Sequence, residues 1–375
     1  MRPCLITALV ASCVAAPLAA QGSLSLQGFG YPTGQISARA AGTASALAET
    51  DPSSPINPGA LPAGGRSVFS FQIDPEFRHV IVGGRGVSTK TVRFPVITFG
   101  AKAGTRGFIA ASFATLLDRT WDASYSDTVQ VGVDHVPSTV STSVRGAIND
   151  ARIAYAWTFS ERLQVGVAFH AFTGGNRMRL ERLFADSTTF GTLSQFTNLS
   201  YAGSAVSAGV VSRVLEHWYA AGSLRLGGTM RTRLDDSLAT HANAPNRFGA
   251  SLTYDGIPGS QLAVRVAHEQ WSRMQSLGTA ALNARDVTEL AVGADIAGPK
   301  FQGAVTQVRL GARSRDLPFG WNGHAVSEQT LAFGAGSTFA RGWASFDVSL
   351  QRSARKGGGL RETGTILSVG LTVRP

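Results

Sequence analysis

Only two cysteines occur in the sequence, Cys4 and Cys13, and both fall within the first twenty residues. The remaining chain therefore has no route to a disulfide, a thiolate zinc site or a thiol nucleophile. Charge is scarce as well: Asp, Glu, Lys and Arg make up 15% of the residues, little for a soluble protein. Past the first twenty residues no apolar run reaches the ~20 residues of a helical membrane span. Acidic residues are the minority, 24 against 34 Lys and Arg, which leaves a net charge of +10. That excess does not mark a nucleic-acid binder, because the arginines are scattered rather than clustered; an anionic lipopolysaccharide surface or an anion-selective interior uses it better. HExxH, phosphate-loop and nucleophile-elbow spacings are all missing, so no catalytic residue, metal or cofactor is expected. His170 and His268 are the histidines a barrel enzyme would draw on, and both read as structural.

What the chain does have begins with an export signal. Arg2 is followed by an apolar run from Leu5 to Ala16 and by Pro17-Leu18-Ala19-Ala20, which places cleavage before Gln21. Val10-Ala11-Ser12-Cys13 offers a second, lipoprotein-type exit. The exported part contains all 43 glycines and a recurring two-residue rhythm. Leu163, Val165, Val167 and Phe169 alternate with Gln164, Gly166, Ala168 and His170. Ala344, Phe346, Val348 and Leu350 alternate with Ser345, Asp347, Ser349 and Gln351. From Trp218 to Met230 the even positions are apolar or small, and Arg225 and Arg231 lie on the other parity. A strand with one apolar and one small or polar face fits a barrel wall in lipid.

Connection lengths support the same reading. Short turns near 103–106, 160–162, 215–217, 257–260, 298–300 and 341–342 alternate with longer polar loops near 119–146, 185–197, 236–244, 273–283 and 314–327. Trp157, Phe159, Trp218, Tyr219 and Trp343 sit near the short-turn ends, as an interfacial aromatic girdle would. The expected fold class is all-β: a transmembrane antiparallel β-barrel of about fourteen strands. The strands are placed at 66–82, 90–102, 106–119, 147–159, 162–183, 198–213, 217–235, 245–256, 260–272, 285–296, 300–313, 328–339, 343–353 and 361–373. An alternating run at Thr128–Val133 is read as a strand extension or an outer hairpin. The chain thus divides into three parts: a signal at 1–20, an amino-terminal hatch at 21–65 and the barrel at 66–375.

The hatch segment is rich in Gly, Ala, Ser and Pro. Ala38–Glu49 suits a short helix. Asp51-Pro52 breaks it, and Pro55, Pro58 and Pro62 keep the rest of the segment irregular. A segment this apolar, yet too broken for lipid, belongs in the barrel lumen. Here the sequence resembles the FadL-type outer-membrane transport family. The residues that carry the resemblance are Ala38-Arg39-Ala40-Ala41-Gly42, Ala44 to Ala48, and Asn57-Pro58-Gly59-Ala60-Leu61, with Phe94-Pro95 in the second strand. The resemblance covers about residues 36–61. It implies a fourteen-stranded barrel closed by a hatch, which carries small hydrophobic compounds such as fatty acids. The chain departs from that family in its shorter outer loops and in ending Val373-Arg374-Pro375 rather than on an aromatic residue.

These readings point to a passive, hatch-gated conduit in the bacterial outer membrane. Its expected partners are outer-membrane lipid, a hydrophobic small molecule and the barrel-assembly machinery. Asn57 and Pro58 are expected to pin or gate the hatch. Pro95, lacking a ladder donor, is expected to weaken its strand enough to form a side window. Arg152, Arg225, Arg231, Arg233, Arg247 and Arg265 are read as inward, with Glu289, Asp295 and Asp347 as available partners. They either brace the lumen by ion pairing or bind the carboxylate of an acid head group. The alternatives are a barrel that docks secreted partners or stabilises the envelope, and a general porin.

Overall fold

A strand with one greasy face and one small face has to seal both its edges when the greasy face meets lipid. The chain does so with fourteen antiparallel strands. The computed structural model describes residues 29–65, 67–82, 85–93, 96–131, 134–235, 237–277, 284–300, 304–321 and 323–374. The export signal, the Cys13 alternative and Pro95 lie outside the described residues. Strand β1 is Val68–Val82. Strand β2 comes in two pieces, Arg85–Arg93 and Ile97–Ala103, as does β3, Gly107–Asp118 and Trp121–Val131. Next come β4 (Asp134–Ser160), β5 (Leu163–Phe184), β6 (Leu193–Leu215) and β7 (Trp218–Leu234). Strand β8 is again divided, Ser237–Asn243 and Arg247–Tyr254, around Pro245, which has no N–H to donate. The remainder are β9 (Gln261–Glu269), β10 (Val287–Ala297), β11 (Val305–Trp321), β12 (His324–Phe339), β13 (Ala344–Gly357) and β14 (Leu360–Val373). Each strand pairs with the next, and β14 returns to β1 from Val373↔Phe69 up to Arg361↔Ile81, which closes the cylinder.

The outer face carries a continuous apolar band of exposed side chains, including Phe71, Ile153, Val167, Phe169, Val264, Leu331 and Phe333. Trp157, Phe159, Trp218 and Trp343 are exposed at the short-turn end. The opposite face is buried although much of it is polar, because the segment from Phe29 to Leu61 fills the lumen. Wall glycines mark where it seats. A Cβ on Gly311 or Gly293 would collide with Thr43, one on Gly334 with Gly42, one on Gly166 with Pro58, and one on Gly209 with Asn57.

Several expectations need correction. The helix placed at Ala38–Glu49 is only Ala38–Gly42, capped by Ser37. It stops because the Thr43 hydroxyl donates to the Ala40 carbonyl (3.0 Å) and because Ala44 and Ser45 turn left-handed, at φ 51° and 78°. The loops at 119–146, 236–244 and 314–327 are largely strand. Trp121–Val131 pairs with the outer half of β4 from Val144 to Asp134, and β11 and β12 run on to Trp321↔His324. Beyond the lipid the outward face of a hairpin meets water, so it need not be apolar, while Val136, Val140, Leu317, Phe319 and Val326 stay buried on the inward face; the alternating run at Thr128–Val133 falls in such a hairpin as far as Val131. Arg231 and Arg233 do not point inward. Two residues of β7, Gly228 and Thr229, face the single residue Ser204 of β6, and this bulge exchanges the two faces of everything beyond it. Met230 and Thr232 are buried in the lumen, and both arginines are exposed outside.

Replacing Gly311 by Val is expected to drive a side chain into Thr43 and to cost ~1–3 kcal/mol by overpacking. A lower melting temperature in detergent, with the strand signal in circular dichroism unchanged, checks this. An unaltered melt would mean that the amino-terminal segment does not seat on the wall.

Candidate functional site: a hatch locked into a charged lumen

Removing charge from water inside a barrel is costly unless each charge finds an opposite one, and the lumen is built around that need. The strands contribute a belt of buried polar side chains to the lumen. Arg355 on β13 joins three of its carboxylates. It reaches Glu76 on β1 (2.7 Å), Glu328 on β12 (2.7 Å) and Glu362 on β14 (2.5 Å). Glu328 also holds Arg315 (2.8 Å) and Arg313 (3.2 Å), and Glu76 holds Arg78 (2.8 Å) and Arg93. Two residues further out, the wall turns apolar. Phe172, Met230, Val287, Leu317, Phe319 and Val326 pack with Trp271, Met274 and Leu277 from the β9–β10 connection, which folds inward over the lumen.

The hatch threads both layers. Phe29 enters the apolar layer, edge-on to Trp271 with ring centroids 5.9 Å apart. Tyr31 drops into the belt. Its hydroxyl donates to Glu328 (2.7 Å) and accepts from Arg315 (2.6 Å). The guanidinium carbons of Arg93, Arg355, Arg315 and Arg78 lie 4.3, 4.6, 5.1 and 5.8 Å from the centre of its ring. A ring face is negative, so a phenol can spread this concentration of positive charge without adding a full charge of its own. Further along, Glu49 accepts from Arg247, from Arg265 (3.2 Å) and from Ser223 (2.7 Å). Burial would raise the Glu49 carboxyl, but the two arginines and their hydrogen bonds outweigh it and hold the group below the ordinary carboxylate range. Ser45 donates to Glu289 (2.6 Å), and Arg39 pairs with Asp295 (3.0 Å).

Asn57 ties the far end of the hatch. Its side-chain amide donates to the carbonyls of Glu49 (2.8 Å) and Val210 on β6 (3.2 Å) and accepts from the Gly59 N–H (2.9 Å). Pro58 comes next as the first residue of a 3-10 turn, Pro58–Gly64, that leads into β1. Of the six arginines singled out from the sequence, the structure brings Arg152, Arg225, Arg247 and Arg265 together in the lumen and places Arg231 and Arg233 outside it. Arg247 and Arg265 are taken up by Glu49, Glu269 and Glu289. Arg225 donates one bond, to Gln35 (3.1 Å), and two of its nitrogens have no partner. Arg152 is 3% exposed, and none of its three guanidinium nitrogens has a hydrogen-bond partner.

Beside them, His170 contacts Asp150 through Nδ1 (2.9 Å) and Ser207 through Nε2 (2.8 Å), and Gln35 of the hatch donates to Asp150 (2.9 Å). The order Asp–His–Ser is that of a hydrolytic triad, but Ser207 is buried, and the bonds brace three strands against the hatch. His268 is on the outer face, against Thr288 (3.0 Å). No group of residues able to hold a metal occurs among the described residues. Sequence reasoning missed Tyr31, Glu49 and Arg355. Glu49 carried a signal, as the one carboxylate ending an alanine-rich stretch. Arg355 lay beyond the strand drawn for it.

Among the described residues the wall has a seam beside the hatch. The outer piece of β2 pairs with β1 from Asp74↔Arg93 to Val82↔Arg85, yet no pairing joins it to β3 among the described residues. Between Arg93 and Ile97, β2 passes three residues while β1 passes two, so the ladder slips where the strand breaks. Beyond this break the β3 edge pairs instead with the hatch, Tyr31↔Asp118 and Pro32↔Leu117. Side chains span the gap: Arg93 approaches Asp118 at 3.7 Å and stacks on Tyr31.

No family profile and no curated protein matches the sequence. Solved structures do. A FadL homologue of Pseudomonas aeruginosa is 12% identical and superposes with a TM-score of 0.66, over 92% of this chain and 99% of that one. The monoaromatic hydrocarbon channel CymD is 12% identical, with a TM-score of 0.58 over 93% and 99%. The Pseudomonas putida toluene transporter TodX is 12% identical, with a TM-score of 0.53 over 94% and 97%. At this identity the likeness is one of fold.

Glu49→Gln is expected to leave Arg247 and Arg265 short of an anion, at a cost on the order of 3 kcal/mol. The readout is faster tryptic cleavage at Arg39 with the barrel intact; an unchanged digest would rule out Glu49 as the latch. A carboxyl held below its ordinary value near ~4.3 stabilises at all higher pH and fails only as pH falls through its lowered value. The difference in melting temperature between the parent and Glu49→Gln should therefore be the same at pH 7 and pH 5 and shrink below about pH 4.

Proposed function

From a FadL-type barrel with its lumen occupied by a docked hatch, we propose a passive outer-membrane channel for small hydrophobic compounds, fatty acids among them. The observation that carries this reading is the seam between β2 and β3, set beside an apolar outer layer and stoppered by the hatch. A hydrophobic solute arriving from outside meets Trp271, Phe319 and Phe29. The charged belt below is a poor path for it, since desolvating those groups is costly. The seam gives a sideways path. Withdrawal of Phe29 to Pro32 frees the β3 edge and takes the Tyr31 ring out of the gap, so the solute leaves sideways at the level of the outer-leaflet interface. Asn57 and Pro58 hold the other end of the hatch while its amino-terminal part moves. Pro95 has no N–H with which to mend the broken ladder of β2.

A head group has a place as well. Arg152 and Arg225 keep unused donors, so a carboxylate would find charge-assisted bonds there once Gln35 moves aside. A general porin needs an open, water-filled lumen, and the packed hatch argues against one. Delivery to the outer membrane through the signal and the barrel-assembly machinery belongs to the same proposal.

Uptake of labelled oleate and labelled toluene by cells making the protein tests it. Both should enter faster than in barrel-free cells and be indifferent to a protonophore. Arg152→Gln with Arg225→Gln should lower oleate uptake at least threefold and spare toluene. Unchanged uptake in both Asn57→Ala and Pro95→Ala would remove the roles given to those residues, and uptake no faster than in the control would remove the function.

A further inference from the structure

The lipid-facing wall is not uniformly apolar. On β13 the outward residues run Phe346, Val348, Leu350 and then Arg352, Ala354 and Lys356; on β14 they run Leu371, Val369, Leu367 and then Thr365, Thr363 and Arg361. Arg352 lies nine residues beyond the exposed Trp343 of the short-turn girdle. At ~3.3 Å per residue and a tilt near 40°, that is roughly 23 Å along the membrane normal, close to the height of an outer-membrane apolar band. Arg352 therefore stands at the outer-leaflet interface.

Three features meet at this level. Lys356 and Arg361 are direct cross-strand partners, an arrangement that repels unless an anion sits between them. Arg352, Lys356 and Arg361 make no ion pair among the described residues; Arg352 donates one bond, to Thr365 (2.6 Å). Beneath them the wall is hollowed. A depression of ≈ 510 Å3 is lined by Leu290, Leu331, Ala312, Ser314, Ala354 and Arg352, with small side chains at its floor and leucines at its sides.

We propose that this face of β10–β14 binds a phosphorylated acyl glycolipid of the outer leaflet, the lipid anchor of lipopolysaccharide. One acyl chain lies in the hollow, and the phosphate is held by Arg352 with Lys356 and Arg361. A free phosphate would use the cations but not the apolar slot. An uncharged lipid would use the slot and leave the cations opposed. Guanidinium groups suit a phosphate because they present paired donors to its oxygens. The site is independent of the transport reading, since it neither opens to the lumen nor touches the hatch.

The test uses the full-length protein, delipidated in detergent and titrated with a bisphosphorylated lipid A, its dephosphorylated form or phosphatidylglycerol, with bound lipid counted by native mass spectrometry. Retention of about one bisphosphorylated lipid per barrel is expected. It should be at least tenfold weaker for the dephosphorylated form, for phosphatidylglycerol and for the Arg352→Gln/Lys356→Gln/Arg361→Gln variant. Arg145→Gln, whose charge is already matched by Asp122, serves as the control and should bind as the parent does. Equal retention by the triple variant, or equal binding of phosphatidylglycerol, would overturn the proposal.

Discussion

Arginines closed inside a barrel have to be matched there, and the amino-terminal segment supplies part of the match. Arg247 and Arg265 share Glu49, Arg315 shares Tyr31, and Arg225 reaches Gln35. Each of these hatch residues is nearly two hundred or more positions from its partner in sequence, so the pairs also fix the depth and rotation of the hatch. Breaking one leaves a buried charge uncompensated, which costs far more than the net worth of the intact pair. Docking is for this reason specific rather than merely apolar. Packing does the rest: Gly166, Gly209, Gly293, Gly311 and Gly334 give up their side chains where hatch backbone or side chains press on the wall.

The same economy explains the seam. A strand edge facing lipid is costly, and the barrel tolerates one only where something else covers it. At the outer end of the first piece of β3, Leu117 and Asp118, the cover is Tyr31 and Pro32, two residues of backbone pairing helped by one ring among four arginines. The stopper of the lumen and the closure of the wall are thus one piece of chain. On the proposed reading, displacement of Phe29 to Pro32 uncovers that edge while the rest of the hatch stays tied by Glu49 and Asn57.

Much of the architecture was legible from the sequence, for a physical reason. Where one face of a strand meets lipid and the other meets the hatch, alternation is enforced at every residue, so all fourteen strands were placed within a few residues over their membrane part. Legibility ended where that constraint ended. Beyond the lipid the outward faces of the β3–β4 and β11–β12 hairpins meet water and lose their apolar residues, so apart from Thr128–Val133 these stretches read as loops. At Gly228 and Thr229 one inserted residue exchanges inside for outside, and nothing in Leu226-Gly227-Gly228-Thr229-Met230 announces it, so Arg231 and Arg233 were put on the wrong face. The inward parity of Arg152, Arg225, Arg247 and Arg265 was readable. Which of them were matched and which kept free donors was not, because that depends on Glu49 and Gln35, far away in sequence and on a segment with no periodicity.

Closure of the lumen by a hatch that charge pairing holds in place is the central claim. Conductance of the purified protein in planar bilayers tests this most directly. A sealed barrel should pass no large steady current at neutral pH. A large, steady, porin-like current from the intact protein would contradict the claim, since ions would then be crossing a lumen that the hatch and its arginines are held to fill.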